Sequence, residues 1–440
     1  MISRRNFAKG SALGAGALLA ARTPLLQAAA HDTKHPRFGV NYVPRKRWWY
    51  CWLDWDRQSV REDLSGVAGL GMDHIRIQCL WPLFQPGIGN VSDRSLANLA
   101  SLLDAADEAG LDVQVTVLNG WMSGLQFMPA WVAPLAGFDQ RGNLFTDRKV
   151  VEAEKLLLHR IAETVGAHRR FMGFDIANEV DVLMTPKSNP ATMTEGDAWA
   201  REMLAYCDEL APGKFHVNGI DHVPWFNDFG FSREQAATTG HASVIHSYTL
   251  FDGLLQHYKY SDPAAVHLAE YEVELAYAYH TNLQRRVWVE ETGATSMPVS
   301  YMPEFMERSV RNIVGTGKAW GVTWWCSHDI DPAVQGFDEG EYHMGLLDLA
   351  NRPKPLGKKF AELAAEIRRQ GAEVVPRTKA MVIPDRGLST NPWPPDWKYA
   401  LPFMDLTAKG VRPAIVLESR AGDAEYLKAR GIADIVLRVS

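Results

Sequence analysis

The chain has 440 residues, 46% of them apolar and 22% charged, with a formal net charge of −6. That size and balance describe an ordinary globular protein with one large domain and room for a small appendage. No basic footprint is present, which argues against nucleic acid or an anionic membrane surface as a partner.

The first 30 residues read as a targeting segment. Ser3-Arg4-Arg5-Asn6-Phe7-Ala8-Lys9 precedes a mild apolar stretch, GSALGAGALLAA, and Ala28-Ala29-Ala30 offers a small-residue cleavage site. The paired arginines resemble a twin-arginine export signal, which implies a periplasmic or extracellular protein. The apolar stretch is too short and too rich in glycine to be a stable membrane anchor. Export would permit disulfides, and Cys51 and Cys79, near the ends of the first two strands, are the pair to consider. Cys207 and Cys326 read as buried free thiols. No Cys-x-x-Cys, His-Glu-x-x-His or calcium-loop spacing occurs, so neither a metal nor another cofactor is expected.

Short apolar runs then alternate with amphipathic helical stretches. The predicted strands are Phe38–Val43, His74–Cys79, Val113–Leu118, Phe171–Ala177, Phe215–Ile220, Ser243–Ser247, Val287–Glu290 and Ala319–Trp325. Ser95–Ala109, Val150–Val165 and Pro263–Tyr279 read as intervening helices, the last with Asp262 as N-cap and Pro263 at its first position. Continuous apolar strands separated by helices require parallel pairing with right-handed crossovers. Eight such units over residues 36–370 predict an α/β fold of the (β/α)8 TIM-barrel type, with an open doubly wound sheet as the alternative. Catalytic groups in such a barrel sit where strands end, and Arg76, Asn119, Asn178, Glu179, His246 and Glu291 are polar residues at strand ends. Residues 377–440 repeat the pattern on a smaller scale. Strands Ala380–Ile383, Ala414–Leu417 and Asp434–Val439, with helices Asp396–Lys409 and Asp423–Arg430, predict a small α/β appendage of undetermined role.

Two strand ends carry the chemistry. FDIANEV finishes strand four at Asn178-Glu179, and VWVEETG finishes strand seven at Glu290-Glu291. In a closed barrel these ends face one another across the mouth. Two carboxyl groups so placed are the usual equipment for hydrolysing a glycosidic bond, although acids at strand ends also cap helices or pair with arginines.

FDIANEV resembles the Asn-Glu at the end of strand four in the clan A retaining glycosidases, especially the cellulase/mannanase-like glycoside hydrolase family 5. VWVEETG resembles the strand-seven segment of that family, in which the nucleophilic glutamate is followed by one residue and a glycine. The resemblance covers most of residues 36–370 and implies a two-glutamate double displacement, with Glu291 as nucleophile and Glu179 as acid/base. It further implies that Arg76, in HIRIQCLW, bonds near the nucleophile and favours its charged form. In VIHSYT, His246 and Tyr248 match the strand-six His-x-Tyr, whose tyrosine orients the nucleophile. In VTWWCSHD, Trp325 matches the tryptophan that floors the sugar subsite, and Asn178 would contact the sugar 2-hydroxyl. Strand alternation puts Glu290 with Trp288 on one face and Glu291 with Val287 and Val289 on the other, without saying which faces inward. The resemblance implies that the Glu291 set faces the barrel axis. Two departures concern the substrate: Val180 stands where the family usually has proline, and Asn119-Gly120-Trp121 ends the third strand where many members place a histidine.

Fifteen tryptophans include Trp48, Trp49, Trp52 and Trp55 after strand one, and Trp81, Trp121 and Trp131 after strands two and three. Flat indoles suit the apolar faces of sugars, so one or two of these, Trp121 among them, are expected to be subsite platforms and the rest anchors. The expected function is retaining hydrolysis of β-linked glycosides of mannan or glucan type. The alternatives are an exo-acting mannosidase, galactosidase or glucosidase, or a carbohydrate-binding barrel without turnover.

Overall fold

The computed structural model describes residues 35–132 and 142–440, so the export segment read from residues 1–30 lies outside the described residues. Eight parallel strands build the barrel: β1 (Arg37–Asn41), β2 (His74–Leu80), β3 (Asp112–Asn119), β4 (Phe171–Asn178), β5 (Val217–Gly219), β6 (Ser243–Ser247), β7 (Val287–Thr292) and β8 (Ala319–Trp324). Their order in the sheet is β5-β4-β3-β2-β1-β8-β7-β6, and the His241 N–H donates to the His216 carbonyl (2.8 Å) where β5 meets β6. Each strand is followed by a helix: α1 (Arg57–Gly69), α2 (Asp93–Ala109), α3 (Arg148–Val165), α4 (Met193–Leu210), α5 (Arg233–Thr238), α6 (Leu268–Ala278), α7 (Met302–Val314) and α8 (Pro355–Gln370). This is the (β/α)8 barrel expected, with strand ends within two residues of prediction.

Local signals explain the element boundaries. Ser92 caps α2 by accepting from the Ser95 N–H, and α2 stops at Gly110, where φ is +79°. Thr192 and Glu195 form a reciprocal capping box on α4. One start signal behaves differently. Residues Pro263–His267 form a 3-10 turn before α6, and the Asp262 carboxylate accepts from the Lys259 N–H (2.8 Å) instead of capping a helix. Its short side chain satisfies the preceding turn first.

Alternation splits the strand residues into two shells. Ile75 and Ile77 of β2, Val113, Val115 and Val117 of β3, and Val287 and Val289 of β7 join the core beneath the helices. The lower barrel interior holds a separate apolar layer of Met172, Phe215, Val217, Ala242, Val244, Trp288 and Trp320, in which Phe215 and Trp320 stack at 4.6 Å. Above it the interior turns polar.

The C-terminal unit has a three-stranded parallel sheet, order β10 (Ala414–Leu417), β9 (Lys379–Ile383), β11 (Asp434–Arg438), with helices α9 (Ala400–Ala408) and α10 (Ala424–Ala429). It is fastened to α6 by buried ion pairs, Glu270 with Arg377 (2.5 Å) and Arg412 (2.6 Å), and Glu274 with Arg430 (3.3 Å). The four cysteines are all free and buried, so the Cys51–Cys79 bridge considered above does not form. Cys51 sits in the 3-10 turn Trp48–Trp52, held beside Asp63 and Tyr42, whereas Cys79 lies within β2.

Candidate active site

Arg76 organises the mouth of the barrel. Its Nε and Nη2 donate to Asp175 Oδ2 (3.0 and 2.6 Å), Nη1 donates to Asn41 Oδ1 (3.1 Å), and Nη2 donates to Asn178 Oδ1 (2.8 Å). Nη1 also donates to Glu291 Oε1, and Nε lies 3.4 Å from Glu290 Oε1. Every member of this network is buried. A planar guanidinium with five donors can satisfy so many acceptors at once, and a buried arginine without them would be prohibitive. The close approach of β5 depends on Gly219, where a Cβ would press on the Arg76 guanidinium and the Asp175 carboxylate at 2.9 Å each.

Glu291 is held at both oxygens, Oε1 by Arg76 and Oε2 by the Tyr248 hydroxyl (2.7 Å). The glycine two residues on has a steric reason: a Cβ at Gly293 would collide with Met344 and press on the Trp325 carbonyl and the Tyr248 ring. Glu179 leaves β4 with φ +47° and ψ +43°, a left-handed conformation rare for a residue with a side chain and common at functional sites. Its Oε1 is 3.0 Å from His246 Nδ1, and His246 Nε2 is 3.1 Å from Glu290 Oε2. Burial opposes a charged imidazole here, but Glu291, Glu179 and Glu290 overcome it and hold His246 well above the usual histidine range. As imidazolium it donates from both nitrogens. Burial first, then Asp221, pushes the Glu179 carboxyl up to about 8, with His246 pulling the other way. Carboxyl oxygens of Glu179 and Glu291 lie within 4.8 Å of each other. So close an approach of the two carboxyl groups suits direct attack by one of them better than an arrangement that holds a water between them.

The strand alternation expected for the paired glutamates is overturned. Trp288 and Glu290 point into the barrel, whereas Val287 and Val289 point to the helices. Glu291 faces inward as well because β7 bulges: Ile245 pairs with Val289, but His246 pairs with Glu291. The extra residue resets the register, so both acids enter the mouth. Glu290 then contributes too, accepting from His246 and lending its backbone carbonyl to Asn41 Nδ2 (3.0 Å).

The remaining predicted residues divide. Asn178 donates to the Trp121 carbonyl (2.8 Å) while accepting from Arg76, so both stand at the mouth, and Trp121 is half-buried in a short hairpin with Gln126. Trp325 is buried just past β8, and its Nε1 donates to Glu341 Oε2 (3.2 Å). The aromatic loop is not a row of open platforms. Trp48, Trp49, Trp52 and Trp81 are buried; Trp49, Trp52 and Trp55 stack in series at 5.9 and 5.3 Å; and Trp48 packs on Phe337 at 4.9 Å. The loop is an anchored wall that ties the end of β1 to the loop after β8.

Several site groups escaped the sequence reading. Asp175 had a signal, an acid in the middle of a buried apolar strand. Glu341 had none that separates it from Asp331, Asp338 and Glu339 in the same loop. Beside Glu179, His222 Nδ1 pairs with Asp221 Oδ2 (2.7 Å) and lies 3.8 Å from Asp252 Oδ1. Among the described residues two groups, Glu179–His246–Glu291 and Asp221–His222–Asp252, have atoms close enough to share a cation, and both are interlinked by ion pairs among their own members.

A polar barrel mouth with two facing glutamates at this separation defines the class of retaining glycoside hydrolases. No protein-family model and no curated relative matches the chain. Solved structures do. A subfamily-18 member of glycoside hydrolase family 5 from Streptomyces cattleya, a glutamate-to-alanine variant in complex with Manβ1-4GlcNAc, is 37% identical over 91% of this chain and 98% of its own, with a TM-score of 0.86. A subfamily-18 variant from Bifidobacterium longum, also with Manβ1-4GlcNAc, is 33% identical over 92% of this chain and 96% of its own, with a TM-score of 0.84. An exo-β-1,4-mannosidase from Opitutaceae bacterium strain TAV5 is 25% identical over 87% of this chain and 69% of its own, with a TM-score of 0.72. The chain belongs to glycoside hydrolase family 5. It is a glycosidase that takes a carbohydrate substrate and hydrolyses β-linked glycosides with retention.

Proposed function

We propose that the protein is an exo-acting β-mannosidase that removes mannose from short β-1,4-linked oligosaccharides such as Manβ1-4GlcNAc. The observation that carries this reading is the near full-length similarity to subfamily-18 enzymes in complex with that disaccharide. In the proposed mechanism Glu291, oriented by Arg76 and Tyr248, attacks the anomeric carbon. Glu179 donates its proton to the leaving oxygen, and His246 holds its other oxygen. Water then enters, Glu179 takes its proton, and the mannosyl–Glu291 ester is hydrolysed. The Glu179 carboxyl, pushed up to about 8, is protonated at neutral pH as this role requires.

The N-terminal segment supports export by the twin-arginine route. Buried free thiols throughout suit a protein that folds before it is moved, and no helix among the described residues is long and apolar enough to cross a membrane.

The test is mannose release from Manβ1-4GlcNAc, β-1,4-mannan and the aryl β-mannoside, β-glucoside and β-galactoside. Rapid release from the disaccharide and the aryl mannoside, with little from internal bonds of mannan, is expected. Preference for an aryl glucoside or galactoside, or fragmentation of mannan into mixed oligosaccharides, would refute it.

A further inference from the structure

Glu341 is a further carboxyl group at the active site, outside the Arg76 network, and neither of the proposed catalytic steps uses it. It is 5% exposed, and it lies in the loop after β8. Its Oε2 accepts from Trp325 Nε1 (3.2 Å) and from Ser123 Oγ (3.4 Å), the latter in the hairpin that carries Trp121. Its Oε1 accepts no hydrogen bond among the described residues. Among the described residues no arginine or lysine pairs with it, although buried carboxylates are normally paired or fully hydrogen-bonded. Burial and the neighbouring Glu291 push its carboxyl up to about 7, which places it in the same electrostatic neighbourhood as the nucleophile. The loop is held in place from the other side: a Cβ at Gly340 would run into Thr295, three residues beyond the end of β7.

The position of Glu341 relative to the reaction follows from the indole between them. The Trp325 backbone N–H donates to the Thr292 carbonyl (2.8 Å), beside Glu291, while its indole N–H reaches Glu341. The side chain therefore runs from the nucleophile's strand to Glu341. A sugar stacked on that indole, with its anomeric carbon within reach of Glu291, would have carbon 1 at the Glu291 end. Carbon 4 is the ring position opposite carbon 1, and equatorial hydroxyls radiate in the plane of the ring. A carboxylate at the far rim of the platform meets them there.

We infer that Glu341 recognises the 4-hydroxyl of the sugar at the cleavage site, and so restricts the enzyme to residues that end a chain. In a β-1,4-linked chain that hydroxyl is free only at the non-reducing terminus. An internal residue would bring an ether oxygen and a further sugar, in place of a hydroxyl, against that carboxyl. The inference rests on the β-mannosidase reading for the identity of the sugar, and supplies a structural reason for exo action.

The experiment pairs substrate and enzyme changes. The aryl β-mannoside and its 4-deoxy analogue are compared on wild type, Glu341→Ala and Glu341→Gln. The Gln variant keeps an acceptor for Trp325 and Ser123 and guards against a folding defect in the Ala variant. A hydrogen bond to a charged group supports a loss in kcat/KM of about 10- to 100-fold when the 4-hydroxyl is removed from the wild-type substrate. In Glu341→Ala the same removal is expected to change kcat/KM by less than about 3-fold, because the acceptor has already gone. If the 4-deoxy penalty is the same in wild type and in both variants, Glu341 is structural and the inference fails. Failure of the mannosidase reading looks different: the wild type would not cleave the aryl mannoside at all. The series would then be repeated with the aryl sugar it does cleave, whose 4-deoxy penalty would decide the role of Glu341 in the same way.

Discussion

The two layers of the barrel interior are lined by the same strands and solve opposite problems. The lower layer, from Met172 to Trp320, is apolar and is held chiefly by packing, with one side-chain hydrogen bond from Trp288 Nε1 to Thr323 Oγ1 (2.8 Å). The upper layer buries Arg76, Asp175, His246, Glu290 and Glu291 within a few residues of it, with Glu179 half-buried beside them. Apolar contacts are tolerant of small losses, whereas a buried ion network must be complete, since one missing partner leaves an uncompensated charge. The contrast teaches where this protein spends stability on chemistry. Packing below fixes the strand ends, and the ion network above fixes the side chains that act.

Removal of Glu291 should separate the layers most sharply. Glu291→Ala is expected to lower kcat by about 10⁴- to 10⁶-fold, with the fold retained, as a rate assay beside a melting curve would show. Arg76→Met strips the cation from Asp175 and Glu291 together. It should cost about 3–5 kcal/mol in chemical denaturation and abolish turnover as well. Trp320→Ala, in the lower layer, should cost a comparable ~3–5 kcal/mol through cavity formation. Its kcat per folded molecule should stay near wild type, and a large drop would break the proposed division between layers. Tyr248→Phe removes one hydrogen bond to Glu291 and should lower kcat/KM by about 10- to 100-fold.

The smallest effect is in pH dependence. As the proposed acid, Glu179 acts while protonated, so kcat/KM should fall as pH rises through about 8. The same carboxyl and that of Glu341, pushed up to about 7, keep their protons in the folded state, whereas the unfolded chain releases them near the ordinary glutamate value of ~4.3. Between those limits the folded state binds more protons, so stability should decline as pH rises from about 5 to about 8. A melting temperature that rises across that interval would contradict the burial assigned to these groups.

Much of this was legible in the sequence because the barrel writes its parallel strands as continuous apolar runs. The motif around Glu179 and Glu291 marked two strand ends and His246 and Tyr248 lay at a third, whereas Arg76, read as a strand end, lies within β2; all five meet in the structure. What was hidden depends on register and on burial. The bulge that turns both Glu290 and Glu291 inward is one residue of slippage against β6, whereas alternation read from β7 alone puts the two on opposite faces. The tryptophans of the first loop have the composition of sugar platforms, yet stacking on one another buries them. Glu341 becomes visible only when the loop after β8 is folded back onto Trp325.

The central claim is that Glu291 becomes covalently attached to the sugar. The most direct measurement is mass spectrometry of the protein after incubation with a 2-deoxy-2-fluoro-β-mannosyl fluoride, which slows hydrolysis of a glycosyl–enzyme intermediate more than its formation. The account predicts one added fluorosugar per chain, located by peptide mapping at Glu291 within VWVEETG. A label on Glu290, or no label while the natural disaccharide is cleaved with inversion at the anomeric carbon, would contradict it.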